Sequence, residues 1–362
     1  MRLVAFLIWE RFRPWIPFVV GAFLISGVLG EHARTPTGDA PHMLAISDRL
    51  AMMFQRGEFL DGFESWTSLV TPHPPAGYLI PTLFALLGAG METARLTGLF
   101  GLGLCWYGMN LLSRGDHRSP WGPWMGGVLL ISTAMTWTLV EHMAWDLLAA
   151  GCVAACVGHL HASDGFRNKG HALGFGLTMG LGFVTKYTFP VFLFLPVLLS
   201  IRALMRFRSF GGLFVSLLGF CVVAGPWLWV HGDAVFAYVL NSTSTVHTIS
   251  DSPAKSWLSR LSANNLLYYP TVLRDAVGWP GILLVGVAFV RVWMRPAGRW
   301  AAWAVVSGIL LLSFAGENQA RYLYPALPLL GAIVDIGIRP GIVHPMARFG
   351  LVCGLGALLP SL

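Results

Sequence analysis

Ala76-Gly77-Tyr78-Leu79-Ile80-Pro81-Thr82-Leu83-Phe84-Ala85-Leu86-Leu87-Gly88-Ala89-Gly90-Met91 is the stretch on which the topology of this chain turns. Its apolar character makes it a candidate membrane crossing, but a crossing here would invert every basic loop that follows. Arg114 and Arg118, Arg167 and Lys169, Arg202, Arg206 and Arg208, Arg291, Arg295 and Arg299, then Arg339 fall in alternate connections, and Arg2, Arg11 and Arg13 precede the first apolar run. Cations in short loops collect on the cytoplasmic side of a membrane. Residues 76 to 91 are therefore expected as an interfacial helix on the outer surface, with the N-terminus cytoplasmic.

Apolar runs recur along the whole length. The chain has 362 residues, 55% hydrophobic and 11% charged, with a mean hydropathy of +0.65. A soluble domain carries about 25% charged residues, so this composition reads as an all-α, polytopic membrane protein. About 11 transmembrane helices are expected, near 14 to 30, 93 to 112, 121 to 139, 143 to 161, 171 to 184, 187 to 201, 211 to 230, 271 to 290, 300 to 315, 322 to 338 and 341 to 360. Residues 1 to 362 read as one membrane domain, with outer loops at 31 to 91 and 231 to 270, an external C-terminus and no soluble C-terminal domain. The net charge of +7 is spread over short connections, which excludes the basic stripe a nucleic-acid binder needs. Cys105, Cys152, Cys156, Cys221 and Cys353 all lie in apolar runs and read as buried free thiols.

This topology sorts the ionisable residues by side. Asp39, Asp48, His73, Glu141, His142, Asp146, Lys186, Glu317 and Arg321 all fall on the outer side. Asp146 follows Ala144-Trp145 and precedes Leu147-Leu148-Ala149-Ala150, so its carboxylate enters a helix by about one turn, where an acid without a partner is costly. Lys186 stands between two short apolar segments whose hairpin tip reaches the outer surface; a snorkelling lysine at a helix end accounts for it equally well. Arg321 runs against the charge bias, and an outside cation at a span mouth calls for an anionic ligand or a carboxylate.

Acids and cations converging on one leaflet suit the transfer of a sugar from a lipid phosphate. One carboxylate takes the proton of the acceptor hydroxyl, and cations stabilise the phosphate that leaves. On composition and spacing alone, a proton-coupled lipid or solute transporter fits as well. A transporter would show charges near the midplane of several spans and interrupted helices in two repeated halves; the sequence shows neither.

The order of these elements resembles the GT-C glycosyltransferase superfamily. An acid in the first outer loop (Gly38-Asp39-Ala40-Pro41) is followed by a His73-Pro74-Pro75 turn, an acid after the third span, and Thr185-Lys186 between paired short helices. Arg321-Tyr322-Leu323-Tyr324-Pro325-Ala326-Leu327-Pro328 comes late in the chain. The likeness is to the branch holding protein O-mannosyltransferases and the aminoarabinose transferase that acts on lipid A, and it covers most of the chain.

The resemblance implies an inverting glycosyltransferase of the plasma (bacterial inner) membrane that uses a polyprenyl-phosphate sugar donor. A lipid, glycan or protein would be the acceptor, and the site would open to the outer face among membrane lipids. It implies Asp39 as catalytic base and Asp146 as the second acid. His73, His142, Lys186, Arg321 and Tyr322 would bind substrate around the donor phosphate. Ala40 stands where mannosyltransferases of this kind carry a second acid. His42, His142, His231 and His247 show no metal-ligand spacing, so no cofactor is expected. The 231 to 270 loop, with Asn241-Ser242-Thr243-Ser244-Thr245, Trp257 and Tyr268-Tyr269, suits a sugar or a cover over the donor, and equally a plain polar loop.

Overall fold

The computed structural model describes residues 40–67, 75–88, 93–114, 123–141, 145–244, 263–315 and 319–338, together with 12, 15, 16, 18 and 19. All regular structure among the described residues is helical. The helices are α1 (Ala40–Gln55), α2 (Phe59–Thr67), α3 (Ala76–Leu86), α4 (Thr93–Arg114), α5 (Trp124–Ile131), α6 (Ala134–Glu141) and α7 (Trp145–Ala162). They continue as α8 (Lys169–Phe183), α9 (Phe194–Phe207), α10 (Phe210–Ser244), α11 (Ala263–Val292), α12 (Pro296–Ala315) and α13 (Ala326–Gly337). Short 3-10 turns at Phe189–Phe192 and Ala320–Leu323 precede α9 and α13.

Trp145–Ala162, Phe210–Ala237, Leu266–Val292 and Pro296–Phe314 are long and apolar enough to cross a membrane. With the composition, these make the chain an integral membrane protein. Their burial differs sharply: 89% of the α7 window is buried against 22% of the α10 window. The central position of α7 follows from its small residues. A Cβ on Gly151 would meet the Gly101 carbonyl, and one on Gly158 would meet the Gly108 carbonyl. The backbones of α4 and α7 therefore touch, as small residues allow in membrane helices. The remainder of the core gathers around this pair: α8 packs on α7, α10 on α8, and α13 against α5, α11 and α12.

α3 has 11 residues, which spans about 16 Å at the rise of an α-helix. That falls short of the roughly 30 Å hydrocarbon core. Its register is held by the Ser47 hydroxyl of α1, which donates to Met43 O at 2.8 Å and to Tyr78 O at 3.3 Å.

Several spans take forms the sequence did not announce. The span expected at 121 to 139 is two helices, α5 and α6, broken at Ser132 and Thr133. The carbonyls released by that break do not go unbonded: Ser132 Oγ donates to Leu129 O at 3.0 Å, and the Thr133 and Thr136 hydroxyls donate to Leu130 O at 3.0 and 2.6 Å. α10 continues as far as Ser244, so much of the stretch expected as loop after 231 is helical. α11 is bent at Gly278, whose φ of 68° a side chain would strain, two residues before Pro280. Cys105, Cys152 and Cys156 are buried, but Cys221 is exposed because it lies on the outward face of α10.

Candidate functional site

The site is built on the junction between α6 and α7, the hairpin tip after α8, and the turn before α13. Asp146 lies in the first turn of α7 and is 3% exposed. Lys186 lies in a tight turn after α8, where Gly182 O accepts Thr185 N–H at 3.2 Å and Lys186 N–H at 3.0 Å, and Lys186 O accepts Phe189 N–H at 3.0 Å. These two residues, far apart in sequence, form a salt bridge between Lys186 Nζ and Asp146 Oδ1. Their side chains are 16% and 4% exposed, so the acid buried in α7 is compensated by a cation from a neighbouring hairpin. Burial of either charge alone would cost several kcal/mol.

Tyr322 completes the cluster. Lys186 Nζ sits 4.4 Å from the centroid of the Tyr322 ring, a cation–π contact. Arg321, in the same 3-10 turn, is exposed; its guanidinium carbon is 5.8 Å from that ring, and its Nε donates to Gln319 Oε1 at 2.8 Å. The structure thus brings together Asp146, Lys186, Tyr322 and Arg321. Asp39, His73 and His142 lie outside the described residues.

The segments that follow Asp39 and His73 in sequence pack beside this cluster. α1 begins at Ala40, directly after Asp39 in sequence, and its Met43, Leu44 and Leu50 pack with Tyr78 of α3 and Trp145 of α7. Trp145 is the residue before Asp146. Pro75, two residues after His73, is buried; its carbonyl accepts Trp66 Nε1–H at 3.2 Å. The next amide, Ala76 N–H, donates to Val184 O at 2.8 Å, two residues before Lys186. Gly77 is required beside this bond, because a Cβ there would fall on the Trp145 indole.

A further shelf of aromatic residues extends from the hairpin tip along α10. Tyr187 stacks on Trp227 with centroids 6.3 Å apart, and Trp227 meets His231 at 5.6 Å. Among the described residues, no three His, Cys, Asp or Glu side chains are placed to hold a metal ion.

No protein-family model matches the chain, and no curated protein matches it in sequence. Solved structures do match in shape. ArnT from Cupriavidus metallidurans, crystallised bound to undecaprenyl phosphate, superposes with a TM-score of 0.68 at 15% identity, covering 94% of this chain. The apo state of the same protein gives 0.64 at 15% identity over the same share. The chain has an ArnT-like GT-C fold. It spans 62% of the length of that ArnT chain. In this GT-C fold the residues named from sequence and described by the structure fall in one cluster. Sequence reading gave no role to Tyr78 and Trp145, which pack together beside the cluster. Their signal was only an aromatic beside an apolar run, which ordinary core packing produces just as often.

Proposed function

We propose that this protein is a glycosyltransferase that moves a sugar from a polyprenyl-phosphate donor to an acceptor hydroxyl at the outer membrane face. The observation that carries the reading is the Lys186–Asp146 pair beneath the Tyr322 ring, in a fold shared with an ArnT crystallised with undecaprenyl phosphate. A partly exposed cation held at a hairpin tip is what a lipid phosphate would seek. The exposed Arg321 beside it supplies a second positive charge.

In this reading the acceptor oxygen attacks the anomeric carbon from the face opposite the phosphate, and its proton passes to the Asp39 carboxylate. The bond between the anomeric carbon and the phosphate oxygen breaks, and its electron pair leaves on the polyprenyl phosphate. Lys186 and Arg321, with His73, stabilise that leaving group. Asp146 acts through Lys186: with one carboxylate oxygen on the ammonium, it fixes where the charge stands. The attack inverts the anomeric centre.

The competing transporter reading gains nothing from the break between α5 and α6. Interrupted helices in transporters leave backbone groups to coordinate ions, whereas the Leu129 and Leu130 carbonyls here are taken by hydroxyls of buried or half-buried residues. The test is direct. Purified protein in liposomes is given labelled polyprenyl-phosphate sugars, and Asp39→Asn is expected to lower transfer about 100-fold or more, the usual worth of a general base. Undiminished transfer by the variant would sink the proposed base. No transfer from any lipid-phosphate sugar by the unmodified protein would sink the donor class.

A further inference from the structure

Tyr324 is completely buried, and its hydroxyl meets Thr136 Oγ1 of α6 at 2.7 Å. Thr136 Oγ1 also lies 2.7 Å from Thr133 Oγ1 and 2.6 Å from Leu130 O. The carbonyl can only accept, so proton counting constrains the network. When Thr136 donates to Leu130 O, Tyr324 donates to Thr136, and Thr133 donates to Leu130 O or to Thr136. That arrangement places every proton.

The ends of this bond are informative. Tyr324 stands two residues after Tyr322, at the close of the 3-10 turn that carries both Arg321 and Tyr322. Thr136 lies in α6, the helix that ends at Glu141, a few residues before Asp146. One hydrogen bond therefore ties the turn bearing Arg321 and Tyr322 to the segment that delivers the acid. Lys186 is held between the two sides, on Asp146 below and on the Tyr322 ring above.

We infer that Tyr324 is a positioning residue for lipid-phosphate binding: its hydroxyl fixes the Arg321–Tyr322 turn over Lys186, so that both cations face one phosphate. The inference rests on the reading of the site as a lipid-phosphate site. Tyr324 is a positioning residue that acts through the Arg321–Tyr322 turn. The proton arrangement also predicts that the hydroxyl is not needed for the local fold, since without it Thr136 still donates to Leu130 O and the broken helix keeps its caps.

The experiment measures undecaprenyl phosphate binding to the full chain in nanodiscs, alongside thermal unfolding. Tyr324→Phe is expected to raise Kd about tenfold, the loss of one well-placed interaction, with a thermal midpoint within about 4 °C of the unmodified protein. Thr136→Val should raise Kd in the same way and Thr136→Ser should restore it, because serine keeps the hydroxyl. In an Arg321→Ala/Tyr322→Ala background, which removes both side chains that the turn presents, Tyr324→Phe should have no further effect on Kd. An unchanged Kd in Tyr324→Phe overturns the inference, as does an equal, additive loss in that background, which would mark a purely structural role. If the unmodified protein does not bind undecaprenyl phosphate, the reading of the site fails and takes the inference with it; binding by the unmodified protein with no effect of Tyr324→Phe leaves that reading standing.

Discussion

Lys186 divides its charge between a carboxylate and an aromatic face, and that division explains how an ionised pair is retained beside the core. The Asp146 carboxylate is almost wholly enclosed and Lys186 largely so, a setting in which the pair is neutral as a unit and each half is costly without the other. Lys186→Met and Asp146→Asn should each lower the unfolding free energy in detergent by about 3 kcal/mol. The double variant should lose less than the sum of the singles by at least about 1 kcal/mol, since the second change removes a charge already stranded by the first. Strict additivity would mean that the two side chains do not depend on each other. The pairing itself was half visible in sequence: Asp146 was marked by the cost of an acid one turn inside a helix, and Lys186 by its place between short apolar segments. Nothing in one dimension joins residues 40 positions apart, which is why Asp146 reads from sequence as a second acid and Lys186 as a substrate contact, and not the two as partners.

At the scale of helices, the same cost argument applies to a residue the sequence reading passed over. Asp335 sits near the end of α13, inside the stretch expected to span at 322 to 338, and its two carboxylate oxygens accept Met125 N–H at 3.2 Å and Gly126 N–H at 2.8 Å. These are amides of the first turn of α5, so an acid from one helix caps the positive end of another. α13 is thereby fixed to the broken α5–α6 unit at both ends, by Asp335 at one and by Tyr324 at the other. Gly126 and Gly331 stand at the crossing between them, where a Cβ on Gly331 would reach the Gly126 carbonyl. Asp335→Ala should lower the thermal midpoint, with a loss of about 2 kcal/mol for two charge-assisted bonds at a helix end. Asp335→Asn, whose amide oxygen can still accept one N–H, should lose less. Equal stability of the alanine variant would remove the cap from the account. Helix existence was legible along this region because apolar length announces it. The break at Ser132 and Thr133 was not, because hydroxyl residues are ordinary inside membrane helices and only the partner across the gap gives them a role.

For the whole molecule, the decisive question is how many times the chain crosses between α1 and the turn that follows α7. If 76 to 91 lies on the surface, three crossings separate Gln55 from Arg167, at 93 to 112, 121 to 139 and 143 to 161, and the two residues face opposite sides. If that segment crosses, the number is four and they face the same side. Both residues are exposed, and Cys105, Cys152 and Cys156 are too deeply buried to react. With Cys221 and Cys353 replaced by alanine, Gln55→Cys in intact cells should be labelled by a membrane-impermeant maleimide, and Arg167→Cys only after the membrane is opened. The 11 residues of α3 favour this outcome, since a helix that short leaves much of a bilayer unspanned. Labelling of both cysteines from one side would put α3 through the membrane and return the basic loops after it to the wrong face. Labelling in the reverse sense would turn the Lys186–Asp146 pair toward the cytoplasm, and an outward-facing transfer from a lipid phosphate would then have no site.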